Sequence, residues 1–469
     1  MDATDLAYAG IAKQAELIAA GEVSSRELVE LCLGRIERFD GQLNAFRVVF
    51  AERALMEADQ ADARRGAGEG RGGGVGRPLL GVPIAVKDDV DMAGDLATYG
   101  TAAEDRPAPA DSDVIRRLRS AGAVIVGITM GPELLLWPFT ESQTYGVTCN
   151  PWDLGRTPGG SSGGNAAAVA AGLVGAALGS DGAGSIRIPA ACCGLFGIKP
   201  QRGRISIAPH SDGDHAWHGL AVYGPLARRV QDAALFLDVT AHEGGGTFLP
   251  AARQAPGALK VAVSLRPPLP QPMDAQVLRA TEDVASMLRT LGHSVEHRDP
   301  PWLRALPHVI VRYLRGARES GRALAHPERY ERRTKRVMRL GDLVSDRVLA
   351  EARARERTVA AKLGALFADF DVLLTPVLAE PAVQTGRWAG RGALWTLNGV
   401  SRFTLSPLLS AWNVTGQPAV SVPAGFTEDG LPLAVQLVGR PNDEATLLSL
   451  AAQIEAERPW AQQRPPGFS

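Results

Sequence analysis

Fourteen consecutive residues near the middle of the chain, AAAVAAGLVGAALG (166–179), contain no charge, no polar side chain and nothing larger than leucine. Such a segment has no face to offer to water, so it reads as a buried helix running directly into a buried strand, with other elements packed closely around both. On either side lie glycine-framed serines, PGGSSGG before it and SDGAGS after it, which set Ser161 and Ser185 24 residues apart. Glycine lets backbone N–H groups turn inward and come close to a ligand, a property needed wherever an oxyanion is to be held.

The rest of the 469 residues reads as α/β grammar. A capping box at Ser24–Glu27 opens the amphipathic helix ELVELCLGRIERF, followed by a short strand AFRVVF and a helix AERALMEADQADARR. Strands are predicted at LLGVPIAVKD, AVIVGIT, KVAVSL and DVLLTPV, alternating with helices such as DVIRRLRSAG and AQVLRATEDVASMLRTLG. The arginine-dense stretch from RRTKRV to VAAKL interleaves charge with apolar residues as exposed amphipathic helices do. No repeat and no linker interrupts this pattern. One domain over 1–469 is expected, with an N-terminal helical segment (1–65) packed on it and a flexible glycine-rich loop at 66–78. The nominal GxGxxG of Gly68, Gly70 and Gly73 follows a helix rather than a strand, the reverse of what nucleotide binding requires.

Hydrophobic residues make up 45% and charged residues 22% of the chain, ordinary globular usage. A net charge of -1 leaves no basic footprint for nucleic acid. The four cysteines (Cys32, Cys149, Cys192, Cys193) fit neither a zinc motif nor a disulfide framework. The N-terminal residues lack the basic region and unbroken apolar run of a secretory leader, and no stretch reaches eighteen apolar residues, so the expectation is a cytoplasmic protein without membrane contact, a monomer or homodimer.

Four groupings compete for chemistry. The overlapping GxSxG matches at Ser161 and Ser162 lack the apolar strand that a nucleophile elbow needs, because PWDLGRTP precedes them. The segment HSDGDHAWH offers His210, Asp212, Asp214, His215 and His218 as metal ligands, and supports a metal-dependent hydrolase as an alternative, although its spacing fits no helical zinc motif. Lys87 is one of only six lysines and ends an apolar strand. It is either a snorkelling lysine paired with Asp88 or Asp89, or a buried one able to give up its proton. The fourth grouping is the pair of serine segments.

Taken together, GVPIAVKD, TPGGSSGGN and GSIRIPAACCGLFGIKP, in that order, resemble the amidase signature family of serine hydrolases. DSDVIRRLRSAGAVIVG, NPWDLGRTPGGSSGG and WNVTGQPAVSVPAGFTEDGLPLAVQLVGR extend the resemblance over roughly residues 20–460. It implies an α/β fold with a central mixed, twisted β-sheet covered by helices on both faces. It also implies a triad of Lys87, Ser161 after a cis peptide, and the nucleophile Ser185, with an oxyanion hole from the backbone of Gly182, Ala183, Gly184 and Ser185. No cofactor or metal is implied. Ala183 stands where the family usually has glycine, and GITMGPE replaces GKTNxxE, with Ile128 and Met130 at polar positions.

The expected reaction is hydrolysis of carbon–nitrogen bonds in amides or carbamates, with small apolar or aromatic substrates, as in stand-alone aryl acylamidases, oligoamide hydrolases and urethanases. Trp137, Phe139, Trp395 and Phe403 are the candidate pocket residues, weighed against a role in the core; Trp412 lies in the same region. A glutaminyl-tRNA amidotransferase A-type subunit, dependent on partner chains, is the alternative within the family. A catalytically dead scaffold is disfavoured by the lysine and both serines standing in register.

Overall fold

A computed structural model of the chain describes residues 1–69, 76–209 and 216–469. Eleven strands among these residues form one mixed sheet in the spatial order Phe46–Val49, Val124–Thr129, Pro83–Lys87, Ala176–Asp181, Val222–Ala227, Phe196–Lys199, Ala419–Phe426, Pro432–Val438, Val372–Pro376, Lys260–Val263 and Ser294–His297. The trio Val124–Thr129, Pro83–Lys87 and Ala176–Asp181 is parallel. The next five pairings are antiparallel, and the far edge is parallel again.

Every residue of Pro83–Lys87 and Ala176–Asp181 is buried, as in strands covered on both faces. Successive side chains point to opposite faces, so each strand feeds two cores. Ala85, Ala177 and Leu226 pack under helices Ser25–Leu43, Gly163–Ala170, Leu306–Ala323 and Ala393–Phe403. Ile84, Val86 and Leu178 pack against Ile11–Ala20, Asp113–Ser120, Val230–Thr240 and Glu444–Glu457. This is the α/β domain expected, with helices on both sides of a mixed sheet.

The small-residue run is a helix, Gly163–Ala170, turning into the strand Ala176–Asp181, and both are wholly buried. A Cβ on Gly164 would stand 2.5 Å from the Met130 amide nitrogen and 2.6 Å from the Ala45 carbonyl, so only glycine permits the helix to approach this closely. Ile128 and Met130 are buried here. Thr129 keeps a polar link, donating to Asn165 Oδ1 at 2.9 Å.

The capping box is formed at both bonds, Ser24 Oγ accepting from the Glu27 amide and the Glu27 carboxylate from the Ser24 amide. The first 65 residues do more than pack on the domain. Phe46–Val49 pairs antiparallel with Val124–Thr129 and supplies the edge of the sheet. Gly70 and Gly73 lie outside the described residues. No helix among the described residues is long and apolar enough to cross a membrane.

Candidate active site

Lys87 is the last residue of its strand, and the neighbouring parallel strand, held in register by Ala85 opposite Ala177 and Val86 opposite Leu178, ends in Ser180 and Asp181. The lysine side chain has no exposed surface. Its Nζ lies 2.7 Å from Ser161 Oγ and 2.8 Å from Ser180 Oγ. The Ser180 hydroxyl donates to the Asp89 carboxylate, whose Oδ2 is 3.9 Å from the lysine nitrogen. Burial disfavours the ammonium form and draws the lysine below its ordinary pKa, opposed by the charges of Asp89, Asp181 and Asp88. A snorkelling lysine would place Nζ in water, and this one does not.

Ser161 follows a cis peptide at Gly160–Ser161. The two adjacent serines have different partners. Ser162 donates its amide to the Ser185 carbonyl at 3.1 Å and its hydroxyl to the Ser180 carbonyl at 3.2 Å, tying the two serine segments together. Turns and bends, rather than a strand, precede them, so no nucleophile elbow is formed.

The turn from Asp181 to Arg187 is held from below by a buried ion pair. Arg187 Nε lies 3.0 Å from Asp181 Oδ2, and both side chains are fully buried. Arg187 also donates to Gln436 Oε1 at 2.6 Å, Asn413 Oδ1 at 2.7 Å and the Leu409 carbonyl at 2.9 Å, while Asn413 Nδ2 donates to Asp181 Oδ1 at 2.9 Å. Burial works against the Asp181 charge, but the Arg187 charge and hydrogen bonds outweigh it and hold the carboxyl below the usual range. Asp89 was legible in the sequence only as an ion-pair partner of Lys87, and Ser180, Asp181, Arg187, Asn413 and Gln436 were not singled out there. The only local signal was the run of polar residues inside otherwise apolar segments.

Of the four amides expected to face an oxyanion, that of Gly184 is already engaged, donating to Asp181 Oδ1 at 2.7 Å. Those of Gly182, Ala183 and Ser185 find no acceptor among the described residues. Gly184 has φ 118 and Ala183 does not have positive φ. The alanine therefore occupies a position open to any L-residue, and the conformation reserved for glycine falls one residue later.

Ser185 is half-buried and borders, with Ser161, Ser180 and Asp89, a cavity of about 870 Å³. Residues 134–138 and helices Leu306–Ala323 and Ala393–Phe403 contribute largely aliphatic walls. Trp137 is part of this lining; the other three predicted pocket aromatics are not. Phe139 stacks between Trp137 and Trp388, with ring centroids 5.8 and 4.7 Å away, and Trp388 in turn meets Phe403 at 5.9 Å. These rings form a column leading from the cavity wall into the core. Trp395 is 50% exposed and is not part of the lining, whereas Leu394, Leu397 and Asn398 of the same helix are. Trp412 belongs to the core against Trp302. Further aromatic lining comes from Tyr99, Tyr223 and the pair Trp217 and Tyr313, whose rings pack edge to face at 5.5 Å.

His210, Asp212, Asp214 and His215 lie outside the described residues. His218 borders the cavity with its Nε2 3.0 Å from Glu319, and burial lowers its pKa.

A lysine buried between two serine hydroxyls thus stands at the carboxyl ends of parallel strands and beside a large cavity. The family model described as Amidase matches residues 27–448. AmiB2 of Mycobacterium tuberculosis, named as an amidase, is 52% identical over 470 residues, covering 99% of both chains. The 6-aminohexanoate-cyclic-dimer hydrolase of Paenarthrobacter ureafaciens is 34% identical over 486 residues, covering 96% of this chain and 95% of that one. A solved structure of 6-aminohexanoate cyclic dimer hydrolase complexed with substrate superposes with a TM-score of 0.87 at 31% identity, covering 99% of this chain and all of that one. The chain belongs to the amidase family, and it is a hydrolase that cleaves carbon–nitrogen bonds of small-molecule amides.

Proposed function

We propose that this amidase hydrolyses uncharged amides with apolar flanks through an acyl-enzyme on Ser185, with Lys87 and Ser161 as the proton relay. The observation carrying this reading is the 2.7 Å contact between Ser161 Oγ and a lysine nitrogen buried away from water. A desolvated, neutral amine accepts the Ser161 proton as Ser161 accepts that of Ser185, so the Ser185 oxygen can attack the substrate carbonyl carbon without a histidine. A carbon–oxygen bond forms, and the carbonyl oxygen takes up negative charge within reach of the free amides of Gly182, Ala183 and Ser185. Each such donor contributes about 3 kcal/mol to barrier lowering. Collapse breaks the carbon–nitrogen bond, the relay returns its proton to the leaving nitrogen, and water then cleaves the ester by the same path.

The aliphatic walls and the volume suit a substrate larger than a primary amide. The likeness to a cyclic-dimer hydrolase over almost the whole of both chains supports an oligoamide or another extended uncharged amide, and a carbamate presents the same carbonyl to the same machinery. That likeness also gives less support to the amidotransferase A-subunit reading. The test is a panel of aryl amides, linear and cyclic oligoamides, primary amides and carbamates, assayed with the pure chain. Hydrolysis by the chain alone, retained in EDTA, lost in Ser185→Ala and accompanied by an acyl adduct on Ser185 in intact mass spectra, is expected. Full turnover by Lys87→Ala would sink the relay, and loss with EDTA would favour the metal-dependent alternative.

A further inference from the structure

The charges of three carboxylates, Asp89, Asp181 and Asp88, act on the buried lysine, and they are not equivalent. Asp88 is paired with Arg47 at 2.8 Å and also accepts from the Thr98 and Gly100 amides. Asp181 is paired with Arg187 at 3.0 Å. Asp89 has no arginine among the described residues. Its cationic neighbour is Lys87 at 3.9 Å, its Oδ2 accepts from Ser180, and its Oδ1 is buried without a hydrogen-bond partner. Tyr223 approaches Asp89 through its hydroxyl, but the bond, 3.1 Å, goes to the backbone carbonyl.

We propose that Asp89 is a positioning residue for amide hydrolysis, acting through Ser180 to direct the Lys87 nitrogen towards Ser161 and to set the charge state from which it works. This rests on the reading of Lys87 as the base. An ionised carboxylate only accepts hydrogen bonds, so the Ser180 proton points at Asp89. The Ser180 oxygen must then receive an N–H from Lys87, 2.8 Å away. A neutral amine carries two N–H bonds and one lone pair, and with one N–H given to Ser180 the lone pair is free to face Ser161 at 2.7 Å, which is where a base needs it. The order of donation runs Lys87 to Ser180 to Asp89, an arrangement in which the lone pair takes the proton of Ser161.

The second part of the role is electrostatic. With Asp88 and Asp181 each balanced by an arginine, Asp89 is the carboxylate whose charge acts on the lysine uncompensated. A negative charge at this distance favours the ammonium form and keeps the lysine titrating higher than burial alone would leave it.

The experiment compares pH profiles of kcat/KM and kcat for the wild type, Asp89→Asn, Ser180→Ala and Lys87→Ala, with thermal unfolding of each as a folding control. Asp89→Asn keeps an acceptor oxygen but removes the charge. The expected result is that the acidic limb of the profile moves to lower pH by about one to three units, with plateau kcat within about tenfold of wild type. Ser180→Ala removes the directing bridge, and its plateau kcat is expected to fall on the order of a hundredfold at unchanged KM. It also serves if Asp89→Asn fails to fold. An unmoved acidic limb in folded Asp89→Asn, or full kcat in Ser180→Ala, overturns the proposal provided Lys87→Ala is inactive. Activity in Lys87→Ala instead overturns the underlying assignment of the base, so the two failures are distinct.

Discussion

Asp181 and Arg187 face each other across the turn that carries Ser185, 3.0 Å apart and both fully buried. A buried pair of this kind gains little over an apolar one of equal shape, but removing one member strands the other. Arg187→Met leaves the Asp181 carboxylate uncompensated and frees Asn413 and Gln436. Its unfolding free energy in urea is expected to fall by about 3–5 kcal/mol. Retained stability with lost activity would assign the pair to geometry alone.

The alanine before Gly184 gives a sharper test of the turn. Ala183→Gly is expected to leave kcat/KM within about threefold, since no positive φ has to be relieved there. Gly184→Ala is expected to lower it by more than tenfold and to destabilise the fold by about 1–3 kcal/mol. At that position φ is 118, and a Cβ would meet Ile188 and Leu409 at 2.9 Å. Kinetics and thermal unfolding of the two variants side by side decide the matter.

Two of the tryptophans expected at the pocket separate by where they stand. Trp137 is buried in the wall and heads the aromatic column, whereas Trp395 is half exposed and lies outside the lining. Trp137→Ala is expected to raise KM for aryl amides at least tenfold and to cost about 3–5 kcal/mol of stability. Trp395→Ala is expected to change KM less than twofold. Equal effects on KM would contradict the wall described here.

Glu133 precedes the wall residues and accepts the Glu331 amide at 3.0 Å. Burial, with the nearby Glu331 charge adding to it, pushes its carboxyl up to about 7 from an ordinary 4.5. Between those values the folded chain holds a proton that the unfolded chain has released. The associated stability is complete below the ordinary carboxylate range and declines as pH rises towards 7, by on the order of 3 kcal/mol. Glu133→Gln removes the titration, so its unfolding free energy should vary less between pH 5 and pH 8 than that of the wild type. Denaturation curves at the two pH values would show it, and equal slopes would exclude Glu133 as the cause.

The lysine and the two serines were legible because each sits in a short segment whose glycines and apolar neighbours restrict what its backbone can do. Ser161 and Ser185 flank a run of small apolar residues that is buried throughout. The support beneath them was not legible. Arg187 meets Gln436 and Asn413, which come from elements more than 200 residues away, and no local pattern announces such a meeting. The pocket aromatics fail for a related reason. The helix Ala393–Phe403 has apolar residues on several faces, and periodicity alone does not tell the cavity face, with Leu394 and Leu397, from the core face, with Phe403.

The residues proposed for bond cleavage stand at the end of the strand Pro83–Lys87, in the loop before helix Gly163–Ala170 and in the turn after Ala176–Asp181, whereas two of the walls enclosing the cavity are helices, Leu306–Ala323 and Ala393–Phe403. Reactivity and selectivity are thus carried on separate parts of one scaffold. The helices that shape the cavity can diverge in sequence, or be exchanged between relatives by design, while the lysine, its serines and the ion pair beneath them keep their spacing.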